Sequence, residues 1–200
     1  MKDVMLFIDG TLLYYDWNGT APAGCKMDLE KLIKIIISKR ADYTLKRCYY
    51  YTTKLDDNYS AAQRQQQENF ISKLRHIPRL ELRFGRIQRK TTEISPAKNS
   101  IKCNHCSNLV TGTLVTFGDK GTDVNLAVDM LTYAYKQNYD VAILLSRDAD
   151  FEKAVKEIKE CGKDVELVLF EKSKDKARGL YDCVDNWIIL DQNDCVQAKL

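Results

Sequence analysis

Four aspartates stand where buried strands end or helices begin, and their placement is the main chemical signal of this 200-residue chain. Asp9 closes the apolar run Val4-Met5-Leu6-Phe7-Ile8. Asp148 and Asp150 follow the run at 141–146, and Asp123 opens a helical pattern just after Thr122. A short apolar run giving way to Asp or Gly reads as a buried parallel strand emerging into a loop. Open α/β sheets bind ligands at those carboxyl ends. Taken singly, each acid has a structural explanation: Asp9-Gly10 as a turn pair, Asp123 and Asp148 as helix N-caps. Capping does not explain why two strand exits both present acids, or why Asp148 and Asp150 form a D-x-D pair. Carboxylates that close repel, and a bound cation or a shared proton offsets the repulsion. An all-oxygen donor set suits Mg²⁺ or Mn²⁺, so metal-dependent phosphoryl transfer is the expected chemistry. Asp129 lies six residues past Asp123, about 120° around the helix, which favours capping, pairing or support over ligation.

The elements that must position these acids alternate from end to end. Strands are expected at 4–8, 45–52, 80–88, 113–117, 140–146, 164–170 and 187–190. Helices are expected at 29–38, 58–76, 122–138, 150–161 and near 175–182, with a loop at 16–26 holding Asn18-Gly19 and Pro22. This alternation predicts a three-layer α/β/α domain with a mainly parallel central sheet. One domain spans 1–200, interrupted by an irregular insertion at about 91–111 that is poor in core residues. The composition, 44% hydrophobic and 30% charged, excludes bulk disorder. No run approaches the roughly 20 apolar residues a membrane span needs. The N-terminal apolar stretch is broken by Asp9, so it reads as a strand and not a signal peptide. Seven cysteines, several inside expected strands or helices, suit reduced thiols in a cytoplasmic protein.

Two families share these motifs. Ile8-Asp9-Gly10-Thr11-Leu12 resembles the D-G-T-L run of haloacid-dehalogenase-like phosphatases, and Gly118 to Asp123 passes for that family's later metal motif. In that family the nucleophilic Asp precedes the Asp of D-G-T by two residues, where this chain has Phe7; a phenyl ring cannot attack phosphorus. The second resemblance covers nearly the whole chain. Phe7-Ile8-Asp9-Gly10 with Leu13-Tyr14 carries it, followed by Lys120-Gly121-Thr122-Asp123-Val124 and Leu126-Ala127-Val128-Asp129-Met130. Leu144-Leu145-Ser146-Arg147-Asp148-Ala149-Asp150-Phe151 and Gly162-Lys163 complete it. On these motifs the chain is similar to NYN-domain proteins of the PIN-like ribonuclease superfamily. That resemblance implies a PIN-like (Rossmannoid) fold and Mg²⁺- or Mn²⁺-dependent cleavage of RNA, with Asp9, Asp123, Asp148 and Asp150 as catalytic and metal-ligating acids. The family carries Asn at the position of Leu12 and S-G-D where this chain has Ser146-Arg147-Asp148. These two departures keep open a catalytically inactive module that binds RNA or protein.

The basic residues fit a polyanionic partner. Between positions 73 and 102 lie nine basic residues against two acidic ones, a net +7, which leaves −4 for the rest of a chain of net +3. Arg83, Arg86 and Arg89 are candidates to track an RNA backbone. Lys120 and Arg147 stand next to the acids, and Tyr14, Tyr15 and Trp17 are candidates for base stacking. In the insertion, Cys103-Asn104-His105-Cys106 offers a C-x-x-C half-site for structural Zn²⁺. Tetrahedral zinc takes four ligands, so a distant cysteine or a second copy of the chain, as in a homodimer, would have to complete it.

Overall fold

In the computed structural model, which describes residues 1–94, 102–109 and 111–200, seven strands form one sheet in the order β4-β3-β2-β1-β5-β6-β7. Its centre is β1 (Lys2–Asp9), whose Val4, Leu6, Phe7 and Ile8 are fully buried. A strand apolar on both faces must lie between two covering layers. It pairs in parallel with β2 (Tyr43–Thr53) on one side and β5 (Val141–Leu145) on the other. Beyond β5 follow β6 (Asp164–Phe170) and β7 (Asn186–Leu190), also parallel. Beyond β2 lies β3 (Leu80–Ile94), parallel to it from Leu80 to Gly85. Only β4 (Gly112–Lys120) runs antiparallel, paired with β3.

Alternation along β1 divides the core in two. Val4, Leu6 and Ile8 face α1 (Gly10–Thr20), α2 (Leu29–Ser38) and α3 (Ala61–Leu74), meeting Leu13, Trp17, Leu32, Ile36 and Leu74. Met5 and Phe7 face α4 (Thr122–Tyr135) and α5 (Glu152–Glu160), meeting Leu126, Met130, Val155 and Ile158. Two short helices, α6 (Arg178–Tyr181) and α7 (Gln192–Gln197), close the C-terminal part. The arrangement is the expected three-layer, mainly parallel α/β/α domain.

Two helices occupy chain for which the sequence predicts no helix. Residues 16–20 are the second half of α1: Asp9 caps it, and Leu13 and Trp17, four residues apart, bury against the sheet. That burial outweighs the turn tendency of Asn18-Gly19, and the loop starts only at Ala21. The second is α7, whose six residues are too few to show a periodicity but carry a capping box between Asp191 and Asp194. Of the stretch expected to be irregular at 91–111, residues 91–94 continue β3, 102–109 form a small turn, and 95–101 and 110 lie outside the described residues.

The distal part of β3 extends beyond β2. From Arg86 to Ile94 it has left β2 and pairs with β4 alone, so the two form a ribbon. At about 3.4 Å per residue the ribbon projects roughly 30 Å past the sheet. Because β3 is parallel to β1, it projects from the carboxyl ends of the strands. At its root a seam joins it to α4: Thr122 Oγ1 donates to Asp119 Oδ1 at 2.5 Å and lies 3.2 Å from Thr53 Oγ1. A Cβ at Gly85 would stand 2.2 Å from the same hydroxyl, so glycine is required there.

Candidate active site

Asp9 ends β1 and is 4% exposed. Its Oδ1 accepts the N–H groups of Thr11 and Leu12, both at 3.0 Å, so it caps α1. The chain turns sharply here because Gly10 lets the backbone approach β2: a Cβ on it would lie 2.6 Å from Tyr50 Cζ and from Tyr51 O. Among the described residues Asp9 Oδ2 receives only a long contact from Ser146 Oγ, 3.4 Å away. Ile8 pairs with Leu145, so Ser146 leaves β5 at the level where Asp9 leaves β1. The same hydroxyl accepts the N–H of Asp148 at 3.2 Å, and Asp148 Oδ1 accepts the N–H of Asp150 at 3.0 Å. Thus one buried serine ties the β1 acid to the β5 loop, where residues 149–151 form a 3-10 turn.

Asp123 reaches the same end of the sheet from the first turn of α4. The acids sense one another electrostatically. Burial pushes the Asp9 carboxyl up from 3.8 to about 6; the Leu12 and Thr11 N–H groups oppose that rise, while Asp123 and Asp148 add to it. Asp123 is also raised, first by partial burial and then by Asp148, Asp119 and Asp150. Among the described residues none of Asp9, Asp123, Asp148 and Asp150 has an ion-pair partner within 4.0 Å, whereas Asp16 pairs with Arg147 and Asp129 with Arg83. With Asp119, five carboxylates therefore share a region in which none forms an ion pair within 4.0 Å among the described residues. Among those residues no three acids, histidines or cysteines are gathered into a ready-made ligand cage. The donor chemistry suits Mg²⁺ or Mn²⁺, and Mg²⁺ commonly keeps several waters while using only one or two carboxylates.

The basic candidates separate into two groups. Arg147 sends Nε to both oxygens of buried Asp16, at 3.1 and 3.2 Å, so its ion partner is Asp16 and none of the four acids. Arg83 is also engaged: Nε meets Asp129 Oδ2 at 3.2 Å, Nη2 meets Glu81 at 3.0 Å, and the guanidinium lies 5.1 Å from the Tyr49 ring centre. Tyr51 OH donates to the same Asp129 oxygen at 2.9 Å, which gives Asp129 its pairing role. Arg86, Arg89 and Lys120 are exposed on the ribbon. Arg86 pairs with Lys120 and Lys90 with Thr116, so strand alternation puts Arg86, Lys90 and Lys120 on one ribbon face; no acid shares that face among the described positions. Arg89, opposite Phe117, is on the other face.

Several participants carry no distinguishing signal in the sequence. Ser146, Asp119 and Asp16 have no local pattern of their own; the first two lie inside motifs that draw attention to their acidic neighbours. Of the stacking candidates, Tyr14 and Tyr15 are exposed, whereas Trp17 is buried with its indole N–H on Cys25 O at 2.9 Å. Beside Asp9, Tyr50 walls a cavity of about 690 Å³ that Tyr14, Phe70, Gln66 and Asn69 also line.

The NYN domain family model matches residues 3–191 of this chain. No curated protein matches it. Among solved structures, a protein of unknown function from Vibrio parahaemolyticus RIMD 2210633 is similar over 100% of this chain and 96% of its own, with 19% identity and a TM-score of 0.60. That likeness concerns the fold alone. Acinetobacter baumannii MurG aligns with 94% of this chain and 41% of its own at 10% identity; its TM-score of 0.37 carries no argument.

Proposed function

The chain belongs to the NYN domain family of the PIN-like superfamily, and on that premise we propose that it is a Mg²⁺- or Mn²⁺-dependent ribonuclease. One observation carries the reading: Asp9, Asp123 and Asp148 interact at the carboxyl ends of β1 and β5, where Asp9 and Asp123 have raised proton affinity. Among the described residues no basic side chain forms an ion pair with them within 4.0 Å. A divalent cation between them would relieve that repulsion. Bound there, it would supply a water of lowered pKa and stabilise the leaving oxygen.

The chain's own groups have distinct tasks. Asp9 Oδ2, Asp123 and Asp148 would hold the ion, one or two of them directly and the rest through water, and the two amides on Asp9 Oδ1 fix that carboxylate's orientation. Ser146 locks the β5 loop to it. Asp150, exposed at the rim, accepts the proton of the attacking water. Arg86, Lys90 and Lys120 guide the phosphates toward the acids along one ribbon face. An unpaired base beside the scissile phosphate has the neighbouring cavity available, where aromatic walls and the Gln66 and Asn69 amides suit a nucleobase. Phe7, stacked 5.5 Å from Tyr49 in the core, offers no nucleophile for the phosphatase alternative.

Incubation of the purified protein with RNA in Mn²⁺ tests the proposal. Cleavage should vanish with a chelator and with Asp148→Asn, while that variant still binds RNA. The apolar Leu12 favours a second reading, an RNA-binding module without cleavage. Equal survival of RNA with wild type and Asp148→Asn, at equal affinity, would select it.

A further inference from the structure

A second donor pair lies at the ribbon tip, apart from the acids. Cys103 N–H donates to Asn108 O at 2.8 Å, Ser107 N–H donates back to Cys103 O at 2.9 Å, and Lys102 and Leu109 bridge in antiparallel fashion. Ser107 takes the left-handed φ of 61°, which closes the turn within so few residues. His105 N–H points at Cys103 Sγ from 3.5 Å, and an amide aimed at sulfur favours the thiolate form that binds metal. Cys106 is exposed and Cys103 half-buried, so both stand at the surface. The turn presents two sulfurs three positions apart, which is half of a tetrahedral structural zinc site.

Among the described residues this fold brings no other half to the pair. Among the described residues no third cysteine, histidine, aspartate or glutamate joins the pair to make a group able to hold a metal. Residues 95–101 and 110 contain none of those four residue types. The remaining cysteines belong to the domain body: Cys48 in β2, Cys161 at the end of α5, Cys183 after α6, Cys25 after α1 and Cys195 in α7. A two-fold axis through the ion converts one C-x-x-C pair into a Cys₄ set using identical surfaces, the simplest closure open to a single chain type. Ribbons that each project roughly 30 Å let two tips meet without their domains colliding.

We propose that two copies of this chain join at their ribbon tips through one Zn²⁺ held by Cys103 and Cys106 of both. The inference is independent of the ribonuclease proposal, because it uses no residue of the acid cluster. In the dimer the two basic ribbon faces become parts of one elongated surface with an acid cluster at each end.

The test uses the full chain, purified with reductant and Zn²⁺ and then freed of excess metal, with mass by light scattering and zinc by elemental analysis. The expected result is a particle of twice the 23.0 kDa chain carrying one tightly held zinc per two chains. Co²⁺ in place of Zn²⁺ should show the charge-transfer absorption of tetrahedral thiolate cobalt, a signature that carboxylate-bound ions do not give. Cys106→Ser should lose the cobalt signature, the tight zinc and the dimer together, with its circular dichroism unchanged. A zinc-free monomer, one thiolate-bound ion per monomer, or a dimer that survives Cys106→Ser would each overturn the proposal.

Discussion

Replacing Asp9 with asparagine isolates the strain in the acid cluster from everything else the site does. The carboxyl of Asp9 moves from the ordinary 3.8 up to about 6 because it is buried beside Asp123 and Asp148. Between those two values the folded chain holds a proton that the unfolded chain has released. Stability is therefore favoured at the acid end and is lost as pH rises through about 6. A gap of roughly two pH units corresponds to about 3 kcal/mol. Asparagine keeps an oxygen for the Thr11 and Leu12 amides but carries no charge. Relative to wild type, Asp9→Asn should be near neutral at pH 4 and more stable by up to about 3 kcal/mol at pH 7.5. Urea unfolding in chelator over that pH range reads the difference: for an m-value of about 2 kcal/mol/M, the midpoints should separate by about 1.5 M. Adding Mg²⁺ at pH 7.5 should narrow the gap by stabilising wild type alone. A difference that stays constant with pH, or that shifts in favour of wild type as pH rises, would refute the account of Asp9 as a buried and repelled carboxylate.

Further outcomes concern the basic residues. Arg86→Ala with Lys90→Ala should weaken binding to an RNA oligomer and make its dependence on log salt shallower by about 1.4, at about 0.7 for each phosphate no longer neutralised on a single strand; fluorescence anisotropy measures this. Arg83→Ala should instead leave the salt slope intact and cost about 1–3 kcal/mol of stability, because Asp129 loses its ion partner; a shallower slope in this variant would reverse the assignment. Arg147→Ala strips Asp16, 8% exposed, of its charge partner and should cost about 2–3 kcal/mol in chemical unfolding. If its stability is unchanged while RNA affinity drops, Arg147 serves phosphate after all.

The acids are legible in the sequence because strand exits are marked by an abrupt change from apolar to acidic residues. Burial on both faces makes β1 and β5 equally plain. Partner choice is harder to read. Nothing in the local sequence assigns Arg147 to Asp16, 131 positions away, or Arg83 to Asp129, 46 away; both pairings depend on which helices cover which sheet face. The alternation of β3 places Arg83 opposite Leu82 and Phe84, but the apolar face it implies for Arg86 ends where β2 stops. Beyond Gly85 neither face of β3 has a core beneath it, so a cation on the nominally apolar side meets only solvent. The first half of the 16–26 segment departs from expectation for a different reason: Asn-Gly chemistry signals a turn locally, while the packing of Leu13 and Trp17 on the sheet is non-local.

The position of β1 between β2 and β5 also sets a timetable for synthesis. Its first neighbour, β2, follows within a few tens of residues, but its second is complete only at Leu145. Roughly 90 residues must be made between the end of β2 and the end of β5, about 5–20 s at ordinary translation speed. Throughout that interval one edge of the central strand stays open, and Asp9 waits for Ser146, its contact 137 positions downstream. The acid cluster is therefore among the last features a nascent chain acquires, and a ribosome-bound fragment ending before residue 145 carries the ribbon and its cations without the acids of the β5 loop.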